Sequence, residues 1–193
     1  MGQYYMPILG DPYGLNCQVF DRSVDDEFTF AKLMEHAWWG SDFVKSFSAL
    51  LHNQLGRVCW VGDYATESDD FNFHINSAIH TPTYKEVWGK KVRPRSISHI
   101  DFTLEHKFLV NFDTNEFINL EEYKEDSMST DGWIIHPLPL LTAVGNDRGL
   151  GDFHDWNVGY ENVGIWAWHL ISITDSPPNF FFNKINVVFK EAD

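Results

Sequence analysis

Twice in this sequence a short apolar run is cut by dense turn chemistry and resumes within a few residues. Tyr4 to Leu9 is followed by Gly10-Asp11-Pro12-Tyr13-Gly14 and a second run at about Cys17 to Phe20, and Lys107 to Phe112 and Glu116 to Leu120 flank Asp113-Thr114-Asn115. Glycine, proline, asparagine and aspartate supply the backbone angles a tight reversal needs, so both stretches predict antiparallel hairpins. A parallel pair would need a crossover of roughly a dozen residues or more, which neither stretch has room for.

The remaining elements are read in the same way. Asp25 and Asp26 can cap a helix in which Phe30, Leu33, Met34, Ala37 and Trp38 recur at three and four. Gly40-Ser41 interrupts that pattern, because glycine weakens a helix interior and serine is a good cap, and a second helical run follows with Phe43, Val44, Phe47, Leu50 and Leu51, ending near Gly56. Arg57 to Val61 reads as a strand stopped by Gly62-Asp63, and Trp133 to Ile135 as a strand stopped by His136-Pro137. Gly164 to Thr174 reads as one long strand, with Ile165, Ala167, His169, Ile171 and Ile173 on one face and Trp166, Trp168, Leu170 and Ser172 on the other. Pro177-Pro178 breaks it, and Ile185 to Phe189 can pair as a last strand. From Thr66 to about Ser98 the periodicity is lost, which predicts a loop or insertion at about 66–100. At 193 residues the chain fits one domain spanning 1–193. The expected class is α+β: a mostly antiparallel β-sheet with one kinked helix or two short helices near residues 28–53.

Charge limits the partners. Acidic residues outnumber basic ones 28 to 14, a net charge of −14, and such a surface repels phosphate backbones and anionic lipid headgroups. Direct nucleic-acid binding and membrane binding are therefore not expected, whereas a basic surface on a partner protein fits. Four of the fourteen basic side chains, Lys90, Lys91, Arg93 and Arg95, sit in 90–95; the cluster is either a solvated edge or a patch that meets an anion. Cys17 and Cys59 lie in separate segments with no Cys-x-x-Cys spacing, and the start MGQYYMPILG lacks the features of a secretory signal. No run approaches the roughly 18 apolar residues of a membrane span. These features together predict a cytoplasmic protein.

The 8 Trp, 7 Tyr and 16 Phe residues are more rings than one small core needs, so some are expected to line a pocket or a partner surface, unless the core itself is ring-rich. The densest glycine stretch, Val144 to His154 (VGNDRGLGDFH), is either a ligand loop or a tight turn. As a ligand loop, the amides around Gly149 and Gly151 would form an anion nest, with Asn146, Arg148 and Asp152 adding polar contacts. It matches neither Gly-x-Gly-x-x-Gly nor the phosphate loop ending in Gly-Lys-Ser/Thr, and strand follows it in place of helix. Trp39, Trp60 and Trp166 are the rings expected beside such a ligand.

Two other constellations could carry chemistry. Glu35-His36 beside Trp38-Trp39 offers a desolvated carboxylate as general acid with a neighbouring base, although adjacent helix residues point about 100° apart. Asp63, Asp152 and His154, with His136 at a strand end, offer oxygen and nitrogen donors for a divalent metal or a hydrolase, but no two-histidine ligand spacing supports this. Gly-x-Ser-x-Gly is absent, and neither cysteine has the context of a nucleophile.

Several motifs form a set: MGQYY, Lys32-Leu33-Met34-Glu35-His36 with Trp38-Trp39-Gly40, Arg57-Val58-Cys59-Trp60-Val61-Gly62-Asp63-Tyr64-Ala65, FLVNFDTNEFINL, His136-Pro137-Leu138-Pro139-Leu140-Leu141-Thr142 and GNDRGLGDF. As a set they resemble an uncharacterised family of bacterial and bacteriophage proteins, over both ends and the middle of the chain but not over 66–100. The resemblance brings no activity with it; a phage setting would imply a defence-related role by association alone. The family form is GNGRGGGDY and WARD where this chain has GNDRGLGDF and Trp166-Ala167-Trp168-His169, so no role resting on a glycine at 150 or a carboxylate at 169 is carried over.

The functional expectation is a binding protein that needs no cofactor and acts by occupancy, not turnover, holding a small anionic or nucleotide-like ligand. Two alternatives stand beside it: an acidic interaction protein or inhibitor occupying a basic partner surface, and a His/Asp hydrolase with or without metal.

Overall fold

The computed structural model describes residues 3–13, 16–21, 31–63, 65, 95–145 and 152–192. The proposed caps Asp25 and Asp26, Phe30, most of the expected insertion with Lys90, Lys91 and Arg93, and Asn146, Arg148, Gly149 and Gly151 lie outside them. Among the described residues, ten strands form a mixed sheet, and six of their nine pairings are antiparallel. With a few short helices this makes a single α+β domain, the class expected from the sequence.

The first hairpin is present: β1 (Tyr4–Gly10) pairs antiparallel with β2 (Cys17–Asp21), and β1 also pairs with β3 (Ala31–Lys32) and β4 (Gly56–Gly62). β5 (Arg95–Ser96) pairs parallel with β2. The second hairpin joins β6 (Phe108–Asn111) to β7 (Glu116–Asn119). β8 (Ala143–Val144) lies parallel to β4, β9 (Leu170–Thr174) bridges β6 and β4, and β10 (Asn183–Lys184) runs parallel to β7 at the sheet edge. Alternation along β1 and β4 feeds two cores. Tyr5, Val58 and Trp60 enter the larger one, while Met6, Ile8, Cys59 and Val61 enter a smaller one on the opposite face.

The helical segment near 28–53 appears as two short helices, α1 (Leu33–His36) and α2 (Asp42–Leu50). Ser41 separates them and caps α2, its Oγ accepting from Val44 N at 3.4 Å, and α2 buries Val44 and Phe47 completely. Two further helices were not expected. Asn119 caps α3 (Leu120–Asp126), and His136 caps α4 (Pro137–Leu141) with Pro137 in the first turn. Proline there costs no hydrogen bond, because the first helical N–H groups have no partner in the helix anyway.

The structure corrects three strands. Of Gly164 to Thr174, only Leu170–Thr174 is strand; residues 164–169 turn, with Gly164 at φ +79° and Trp168 at +61°. The N–H groups of Gly164, Trp166 and Trp168 go to the Leu140, Leu141 and Val58 carbonyls and the intervening ones bond three residues back, and Trp166 enters the large core while Trp168 enters the small one. Trp133 to Ile135 is no strand, holding a single bridge from Ile135 to Trp38. Ile185 to Phe189 likewise lies beyond the short β10.

Candidate functional site

Both ends of the glycine-rich stretch are pinned to the sheet. On the incoming side Val144 pairs with Val61, and Gly145 then lies flat on the buried pair Gln3 and Tyr5, whose hydroxyl donates to Gln3 Oε1 at 2.6 Å. A Cβ at position 145 would collide with Gln3 Oε1 and the Tyr5 hydroxyl, so the close approach requires glycine. Burial pushes the Tyr5 phenol well above its ordinary range, which keeps it a neutral donor. On the outgoing side Asp152, at φ +74°, accepts from Lys32 Nζ at 2.6 Å, and Phe153 is fully buried edge-on to Phe189. The hydrogen bond to Asp152 raises the Lys32 pKa.

The charges around these ends are mostly negative. Asp63 follows β4 just past the Val61–Val144 pair, accepts from Tyr4 N at 3.1 Å, and has its pKa raised chiefly by burial. Glu35 accepts from Lys32 N at 2.9 Å. Lys32 thus meets two carboxylates, Asp152 through its ammonium and Glu35 through its backbone N–H. Asp63, Asp152 and His154 are not drawn together: among the described residues no group of three or more His, Cys, Asp or Glu side chains could hold a metal ion. His154 instead stacks on the exposed Trp156 ring at 4.2 Å.

Glu35 and His36, neighbours on α1, do not face one pocket. Glu35 is exposed, whereas His36 is buried and its Nε2 accepts the Trp60 indole N–H at 2.8 Å. With that lone pair occupied, His36 is not placed to take a proton from Glu35 or from a substrate. His136 is fully buried too. Its Nδ1 accepts from Leu138 N at 3.1 Å, and burial lowers its pKa to about 3, so it caps α4 as a neutral ring. Trp39 is half-buried between Tyr123 and His136. Trp60 and Trp166 are closed into the core, and the Trp166 indole donates to Glu116 Oε2 at 3.0 Å. The rings expected beside a ligand therefore do not share one open wall.

Two features lay beyond the sequence reading. One is a polar network that ties the 164–169 turn to the β6–β7 reversal. Arg57 donates to Asp113 Oδ2 at 2.9 Å and to the Trp168 carbonyl at 3.0 Å, and Asn111 donates to His169 at 2.8 Å. Its signal was Asp113 in the hairpin turn with the polar Asn111 and Glu116 at the facing strand ends; the first was read as turn chemistry and the other two as parts of the flanking runs. The other is a set of rings on the surface: Trp133 is 62% exposed, Phe180 87% and Phe181 70%. No helix among the described residues is long and apolar enough to cross a membrane.

Compared with known proteins, the chain matches no family model, no curated protein and no solved structure, so the resemblance seen in its motifs gains no support from them.

Proposed function

We propose that the protein acts by occupancy, as an acidic interaction protein that covers a basic surface on a partner. The observation that carries this reading is where the rings stand. Trp60 and Trp166 are enclosed, while Trp133, Phe180 and Phe181 project from a chain of net charge −14. Isolated exposed apolar groups are ordinary, but large rings held outward supply the anchors on which interfaces depend. The test is capture of partners by the immobilised protein at about 0.05 M and about 0.5 M salt, since exposed charge complementarity is screened as the Debye length shrinks from about 14 Å to about 4 Å between them. Basic partners released by salt are expected; partners that are acidic, or retained equally at both salt levels, would overturn the reading.

A second reading, a small anionic or nucleotide-like ligand on residues 145–154, is favoured by the pinning of both ends of that stretch and by Lys32 beside Asp152. The carboxylates of Glu35, Asp63 and Asp152 weigh against an anion, which leaves this reading dependent on Arg148. Calorimetry against nucleotides and cyclic nucleotides tests it: heat that disappears in Arg148→Ala supports it, and no heat sinks it.

A further inference from the structure

We infer that the docking epitope is the loop from Met128 to Trp133 with Trp38 beneath it, and that its occupant is an arginine-rich segment of a partner protein. The inference rests on the interaction reading above and adds the place and the chemistry of the contact.

The loop is a rigid presenter. After α3 ends at Ser127, Ser129 N donates to the Trp133 carbonyl at 2.9 Å, Trp133 N donates back to Ser129 Oγ at 2.9 Å, and Gly132 N donates to the Ser129 carbonyl at 3.0 Å. The Trp133 indole rests on Trp38 with ring centres 5.3 Å apart, and Trp38 is fixed by its bridge to Ile135. A ring anchored in this way loses little freedom on binding, which favours a hot-spot role. Met128 adds exposed apolar surface beside it in the chain.

Charge selects the occupant. Glu121 is paired with His106, Glu122 with Lys184, and Lys124 is drawn to Glu105 at 3.4 Å. Glu125, Asp126 and Asp131 are exposed, and none of them has an ion-pair partner among the described residues. Of the other exposed rings, Phe180 and Phe181 are flanked by Pro178, Asn179, Phe182 and Asn183, with Asp175 engaged by Lys107, Asn53 and His52, and Trp156 has a face covered by the stacked His154. An exposed indole in the same short segment as Asp131 and the Glu125-Asp126 end of α3 suits arginine better than lysine, because a planar guanidinium stacks on a ring while its N–H fork takes up carboxylates. A second copy of the chain brings the same negative charge and is disfavoured.

The full-length protein is titrated with octa-arginine, octa-lysine and octa-glutamate peptides, following the indole N–H resonances by NMR with Trp133 assigned from Trp133→Phe. Octa-arginine is expected to shift the Trp133 resonance and to bind more tightly than octa-lysine. Trp133→Ala, and separately the triple variant Glu125→Gln, Asp126→Asn, Asp131→Asn, should each weaken it about tenfold, while Phe180→Ser leaves it unchanged. Salt-sensitive binding that survives Trp133→Ala within about twofold would overturn the epitope and leave the interaction reading standing. Absence of binding to any basic peptide, together with capture of no basic partner, would overturn both. Self-association abolished by Trp133→Ala would assign the surface to a second copy and overturn the arginine-rich occupant.

Discussion

His169 Nδ1 receives a hydrogen bond from the Asn111 side-chain amide at 2.8 Å, and that amide cannot turn round to offer its oxygen instead. The oxygen already accepts from the backbone N–H groups of Asp113 at 3.0 Å and Thr114 at 3.3 Å, and Asn111 is fully buried. A proton on Nδ1 would therefore face another N–H. Burial is the main cause that lowers the His169 pKa; Arg57 acts in the same direction, and Asp113 and Glu116 oppose it.

Stability should consequently fall with acid in a defined window. His169 is lowered from 6.5 and His136 from 6.5 to about 3, so the unfolded chain takes up these protons first as pH drops. The stabilisation from the neutral rings is complete above the unfolded value and is lost as pH falls from there towards the folded values. Urea unfolding between about pH 7 and about pH 5 should show a slope of up to about 1.4 kcal/mol per pH unit for each group. Asn111→Asp, whose carboxylate would accept from a protonated ring, should raise the NMR titration midpoint of His169 above that of the parent. An unchanged midpoint would mean that the amide does not set the ring's protonation state.

The Trp60 indole N–H and His36 Nε2 are both buried, and each is the partner of the other at 2.8 Å. Trp60→Phe leaves the His36 nitrogen without that donor and opens space beside Phe47, whose ring meets Trp60 edge-on at 4.7 Å. A loss of about 2–4 kcal/mol in denaturant unfolding is expected, combining an unmade buried hydrogen bond with a cavity. A change below about 0.5 kcal/mol would show that the pair contributes little.

Much of this arrangement was legible in local sequence and some was not, for identifiable reasons. Both hairpins and the Ser41 cap of α2 were read correctly because turn and capping chemistry act within a few residues. The alternation of Trp166, Trp168 and Leu170 looked like strand, but Gly164 and the positive φ of Trp168 turn the chain so that successive tryptophans enter different cores. Tertiary partners fix where that turn sits: the carbonyls of Leu140, Leu141 and Val58 take its N–H groups at Gly164, Trp166 and Trp168, and Arg57 and Asn111 bind Trp168 and His169. Pro137 was read as a stop after a strand, whereas here it starts α4 behind the His136 cap. Composition announced the excess of rings but could not say which of them face outward, because Trp60 and Trp133 differ only in their surroundings.

Gly145 should tolerate no side chain while Gln3 and Tyr5 keep theirs. Gly145→Ala is expected to cost about 1–3 kcal/mol, the usual penalty of overpacking, and less in a Gln3→Ala, Tyr5→Phe background, where the colliding atoms are gone. Thermal unfolding of the four corners of this cycle measures the coupling. Equal costs in both backgrounds would show that the glycine is needed for another reason.

Arg57 joins three separate segments to β4, and that geometry makes a specific demand on its head group. Its Nε donates to the Pro12 carbonyl at 3.2 Å, and its Nη1 donates to Asp113 Oδ2 and to the Trp168 carbonyl. Asp113 Oδ2 also accepts from Leu170 N at 3.1 Å, so the carboxylate locks the start of β9 to the β6–β7 reversal. Because Arg57 is largely shielded, this is not an exposed ion pair of negligible value. A lysine ammonium is a single point and cannot reach the Pro12 carbonyl while serving the other two acceptors. Arg57→Lys should therefore cost about 2 kcal/mol despite keeping the charge. Hydrogen exchange should locate the loss in the 164–169 turn, where the Trp168 N–H bonded to Val58 O would open first. If Arg57→Lys matched the parent in both stability and exchange, charge alone would explain the position and the three-way tether would be dismissed.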